Sequence, residues 1–241
     1  MTDAAPAQLA PDQRDSAYLS PMLVFLALTG VGTTWPSLYA VSYVVKTILA
    51  GALLIAMRRH YARIRWDYCW LGAILGVVGI VQWVGMEKLI LHWYPLLVPE
   101  RVLHWFPSFP EMGGKPFVPS EAIPSKLAFI GFIAFRWAGP TLVVPFMEEF
   151  FWRDFLWRTI AAPADFRIAK IGEWDRGIPL LVVSIAFCMV HPQWLTALVW
   201  GLMIGGLLLY TRSLGACIVM HAVTNFLLGA YVLWTGDWMF W

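Results

Sequence analysis

Seven apolar runs, Met22 to Trp35, Leu38 to Met57, Cys69 to Leu91, Trp137 to Ala161, Ile178 to His191, Trp194 to Tyr210 and Leu214 to Trp234, leave this chain few ways to fold. Crossing the hydrocarbon of a bilayer takes about 20 apolar residues as helix. Lipid offers no partner to a free backbone N–H or C=O, so each run must close its own hydrogen bonds by coiling. With 60% hydrophobic and 13% charged residues and a mean hydropathy of +0.66, the chain lies outside the range of soluble domains, where charged residues make up about a quarter. The expected fold is all-α, a polytopic membrane helix bundle of seven or eight helices. The eighth depends on whether the helical period from Ile123 to Arg136 merges with the fourth run.

The 241 residues leave no room for a separate soluble domain, so residues 1–241 are read as one membrane-embedded domain. Residues 1–19 are polar and read as a disordered tail. Residues 94–124 carry Pro95, Pro99, Pro107, Pro110, Pro116, Pro119 and Pro124 and read as an external loop. Residues 136–235 form the core helices. Arg58, Arg59, Arg63 and Arg65 follow the second run, Arg167, Lys170 and Arg176 the fourth, and Arg212 the sixth, all on one side. Basic loops stay cytoplasmic, which puts the amino terminus inside and the carboxyl terminus outside, in a bacterial inner membrane. Glu87 and Lys88, near the far end of the third run, read as an interfacial pair.

Against that background the stretch Glu148-Glu149-Phe150-Phe151-Trp152-Arg153 is costly. An ionised side chain near the bilayer centre costs at least about 2.5 kcal/mol on insertion scales, so charge kept there points to function. Two more polar pairs follow, Phe187 with His191 and His221 with Asn225. At 1.5 Å per residue Glu148 lies roughly 16 Å, His191 roughly 20 Å and His221 roughly 10 Å from the cytoplasmic ends of their helices. These depths overlap, so one site can use all three helices.

Spacing within each helix suggests roles. Glu149 and Arg153 stand one turn apart in the favourable order for an ion pair and read as structural. Glu148 points about 100° away from Glu149, has no obvious cation, and suits a general base. His221 and Asn225 also stand one turn apart, so an imidazole and an amide can converge like the donors of an oxyanion hole. No H-E-x-x-H, no G-x-S-x-G and no pair of intramembrane aspartates offers a competing protease chemistry.

Glu-Glu-x-x-x-Arg, Phe-x-x-x-His and His-x-x-x-Asn, in this order on successive membrane helices, resemble the CPBP family, which includes the type II CAAX prenyl endopeptidases. The match is Glu148, Glu149 and Arg153, then Phe187 and His191, then His221 and Asn225. The segment from His221 through Trp238 is also similar to a bacterial subgroup associated with PEP-CTERM and exosortase systems. The resemblance implies an intramembrane endopeptidase opening toward the cytoplasm. In it Glu148 and His191 activate water, and His221 with Asn225 stabilises the oxyanion. Glu149, Arg153 and Phe187 support the site. No cofactor is favoured. The alternative is a single zinc ion held by Glu148, His191 and His221. The expected partners are a membrane-anchored, prenylated or lipidated peptide or protein and the lipid bilayer, with no nucleic acid and a monomeric state. A proton-coupled transporter using the same buried groups as a relay, or a non-catalytic immunity or scaffold protein, would be the other functions open to such a chain.

Overall fold

The computed structural model describes residues 11–97 and 116–241. Seven helices account for the membrane-embedded part: α1 (Pro11–Thr34), α2 (Tyr39–Ala56), α3 (Cys69–Leu97), α4 (residues 126–161), α5 (Ile178–Met189), α6 (Trp194–Thr211) and α7 (Leu214–Thr235). A single helical turn, Pro119–Ala122, precedes α4, and no strand occurs among the described residues. The exterior is apolar, with Leu127 82% and Tyr210 77% exposed, while Glu149, Arg153 and Asp154 are fully enclosed. That inversion of a soluble protein is what a lipid surround requires. The protein is an integral membrane protein, all-α over the described residues, and among these, six helices are long and apolar enough to cross a bilayer.

Helix α1 starts earlier than composition suggested. Residues 11–19 are helical rather than a disordered tail; Ala17 and Tyr18 are buried, and Tyr18 packs on Tyr61, Phe150, Phe155 and Phe166. Residues 1–10 lie outside the described part. Helix α3 likewise runs on through Pro95 to Leu97, into the region read as external loop. Residues 98–115 of that loop lie outside the described part.

The stretch between Ile123 and Arg136 joins the fourth run, giving one helical rod from Lys126 to Ala161. It is not uniformly α. Segments Gly139–Val143 and Phe150–Leu156 are π-helical and bracket an α segment, Val144–Glu149, that holds both glutamates. Such wide turns concentrate at functional sites. The first has a local cause. The N–H of Val144 bonds to Gly139 O, five residues back, and the next position in that register is Pro145, which has no N–H to give Pro140 O. The orphaned carbonyl is taken by the Asn225 side chain of α7, Nδ2 to O 2.8 Å.

One end of the bundle collects the basic loops. Ser213 Oγ and Gly215 N both donate to Arg65 O, Arg212 donates to Gly172 O, and Arg167 meets Asp15 at the start of α1. Ser213 also caps α7, its Oγ accepting from Ala216 N. From this shared end α3 and α7 run parallel. Gly72 lies against Ala216, Gly76 against Met220 and Val223, and Gly79 against Thr224 and Trp200. A Cβ at Gly72 would come within 2.3 Å of Ala216 O, so this stripe must stay bare for the helices to meet. Gly201 and Gly205 do similar work, bringing α6 onto Ser184 and Leu180 of α5. Helix α5 has 12 residues, roughly 18 Å at 1.5 Å each, and stops short of a full crossing.

Candidate active site

Glu149 is the hub. Its Oε1 accepts from Arg153 Nη1 at 3.2 Å and from His221 Nδ1 at 2.8 Å, joining α4 to α7 in a setting with no solvent exposure at the carboxylate. The i, i+4 ion pair expected from the sequence is present. The bond to His221 gives Glu149 a second task, because it fixes the tautomer. With Nδ1–H directed to the carboxylate, Nε2 is the ring nitrogen left for chemistry.

His191 is fixed the same way by a different partner. It lies just past the last turn of α5, where its Nδ1 donates to Phe187 O at 2.8 Å and helps close the helix end. Its Nε2 too is free. The two imidazoles are linked by rings: His191 sits 4.3 Å from Phe187, Phe187 stacks on Trp200 at 5.4 Å, and the Trp200 ring lies 4.9 Å from His221. Trp83 of α3 flanks both His191 and Trp200, and Trp152 meets Phe187 edge-on. Arg153 lies over Phe187 at 4.9 Å and Trp200 at 5.8 Å, so its charge rests on π faces as well as on Glu149.

Glu148 is 9% exposed and makes no hydrogen bond or ion pair among the described residues, where its Oε2 is buried without a partner. Glu149 Oε2, Arg153 Nε and Nη2, and the indole nitrogens of Trp152 and Trp200 are also buried without partners. Leaving so many donors and acceptors unmade in one place costs about 1–3 kcal/mol for each group.

Four of the residues singled out in the sequence therefore form a bonded or stacked unit: Glu149, Arg153, Phe187 and His221. His191 joins it through ring contacts. Glu148 faces it without a bond. Asn225 spends one amide hydrogen on Pro140 O and keeps the other, together with its carbonyl, unassigned. Among the described residues no three His, Cys, Asp or Glu side chains are grouped to hold an ion. No step below is routed through a metal. Trp83, Trp200 and the Gly72, Gly76, Gly79 stripe were not singled out in the sequence. The glycine spacing of four and three, one helix face, was the available signal for the stripe. Nothing marked out these two tryptophans among fifteen.

Two cavities lie elsewhere. One, about 640 Å³, sits between α2 and α4 near the basic end, lined by Leu54, Tyr61, Phe146 and Phe150 with Arg58 and Arg63. The other, about 890 Å³, opens at the opposite end and approaches the site only through Pro192 and Gln193, next to His191.

No curated protein and no solved structure matches the chain with significance. Residues 130–227 do match a family model, described as type II CAAX prenyl endopeptidase Rce1-like. The matched segment covers under half of the chain and contains α4 from Ile130 onward, all of α5 and α6, and α7 through Leu227. It holds every residue of the three motifs, and over this segment the chain is similar to the CAAX protease-like family.

Proposed function

We propose that the protein is an intramembrane endopeptidase that hydrolyses a peptide bond of a membrane-associated protein with water activated by Glu148. The observation that carries this reading is the buried Glu148 carboxylate, its Oε2 without a partner, beside a Glu149 whose Oε1 is held by both Arg153 and His221. A base needs a free lone pair near its water and neighbours that hold the reacting groups still.

In the proposed sequence Glu148 takes a proton from water while His191 Nε2 accepts the other water hydrogen and orients the oxygen. That oxygen attacks the scissile carbonyl carbon, and the C=O electron pair moves onto oxygen. His221 in its doubly protonated form donates from Nε2, with the Glu149 carboxylate facing its other N–H at 2.8 Å, and the unused Asn225 amide hydrogen is the second donor. Collapse of the intermediate breaks the C–N bond, and Glu148 returns its proton to the departing amine. No metal is required in this scheme. The arginine-rich end is cytoplasmic, the amino terminus inside and the carboxyl terminus outside.

Purified protein in lipid nanodiscs, offered a library of membrane-anchored peptides, tests the reading. Cleavage is expected, is lost in Glu148→Gln with the melting temperature retained, and survives chelation. Proton flux in sealed vesicles without any cleavage would replace the peptidase by a transporter. Activity abolished by chelator and restored by zinc alone would overturn the metal-free scheme.

A further inference from the structure

Glu87 of α3 is a second buried carboxylate that the proposed reaction does not use. It is 5% exposed, accepts a 2.7 Å hydrogen bond from Thr196 Oγ1, and has no ion pair among the described residues. It is not paired with its neighbour in sequence, contrary to the sequence expectation. Lys88 turns instead to Tyr231 Oη at 2.6 Å and Asp237 at 3.4 Å. Arg136, on the same half of the molecule, lies over the Tyr43 and Trp241 rings.

Glu87 lines the cavity of about 890 Å³ at the end opposite the basic loops, a volume typical of ligand sites. Its wall also carries Glu121, Gln193, Phe117, Trp238 and Trp241, and among the described residues no Lys, Arg or His lines it. A carboxylate withdrawn from water without a counter-charge is costly, and a cation supplied by a ligand would remove that cost. Aromatic faces add a cation-binding surface around it. Gln193 and Pro192 connect this wall to His191, two residues and one residue away in the chain.

The geometry points to a cation subsite: we infer that this cavity takes a lysine or arginine side chain of the peptide substrate, entering from the non-basic end, with its ammonium or guanidinium on Glu87. The inference rests on the peptidase reading for the identity of the ligand, while the binding itself does not require cleavage. The test therefore uses full-length protein carrying Glu148→Gln in nanodiscs and titrates two probes calorimetrically, acetyl-Phe-Lys-Phe-amide and the same peptide with norleucine for lysine. The lysine peptide is expected to bind at least tenfold tighter, and Glu87→Gln, which still accepts from Thr196, is expected to erase the difference. Equal binding of both probes, or a preference that persists in a folded Glu87→Gln protein, overturns the inference. Should Glu87→Gln fail to fold, Glu121→Gln and Thr33→Trp, both at exposed cavity positions, decide instead. The first should reduce the lysine preference and the second should weaken both probes, and no change in either variant overturns the subsite. Wild-type protein that binds but never cleaves sinks the peptidase reading and leaves the subsite standing, whereas cleavage indifferent to lysine sinks the subsite alone.

Discussion

Helix α4 carries two buried ion pairs about one turn apart, and they are finished to different degrees. Around Asp154 and Arg158 every polar atom is used. Asp154 accepts from Arg158 Nη1 and from Tyr18 Oη, and Arg158 gives its remaining donors to Ala169 O and Arg167 O. Around Glu149 and Arg153 two guanidinium nitrogens and a carboxylate oxygen have no partner among the described residues, and neither has Oε2 of Glu148 beside them. Both pairs sit in the same rod with the same i, i+4 spacing. Saturation marks the first as structural, tying α4 to α1 and to the loop after it. The second leaves three of its own polar atoms without a protein partner among the described residues.

Substitutions in the two layers should separate activity from stability. The largest effect expected is from Glu148→Gln, a loss of about 10²–10⁴-fold in peptide cleavage with little change in melting, because it removes a base and breaks no bond. A melting temperature that falls with the activity would make Glu148 part of the scaffold and erase the contrast. Asp154→Asn should do the reverse, costing about 3–5 kcal/mol by stranding Arg158, with cleavage per folded molecule unchanged. Unfolding measured against retained rate reads it directly. Tyr18→Phe removes the hydrogen bond to the same carboxylate and the one that Tyr18 Oη accepts from Ala62 N–H, and should cost about 1.5–3 kcal/mol, again with rate preserved. The smallest effect belongs to Asp165 in the loop after α4, whose carboxyl is held below the usual range first by the Arg167 N–H and then by the Arg167 side chain. A depressed folded value contributes stability above the unfolded value, about 3.9, and loses it as pH falls through the folded one. Asp165→Asn should therefore melt slightly earlier at neutral pH and match the parent in strong acid.

What the sequence made legible were relations within one helix. Apolar runs marked the spans, and a fixed spacing placed Glu149 on Arg153. Relations between helices were largely hidden. The Glu149 to His221 bond joins residues 72 apart in the chain, and no local period announces it. Asn225 looked like a free donor because the carbonyl it serves is released by a proline in another helix. The missing N–H of Pro145 was visible, but not which carbonyl it would orphan, since that depends on the π register. Residues 11–19 read as tail because they are polar, yet tertiary burial of Tyr18 holds them in helix.

The brevity of α5 has a further consequence. A rod of roughly 18 Å inside hydrocarbon about 30 Å thick leaves Val190 to Gln193 as coil at a depth where lipid cannot satisfy peptide groups. Such backbone persists only against protein or a wet indentation. The stub end of α5 would then be a dimple in the membrane, opening beside His191 on one face of the bundle.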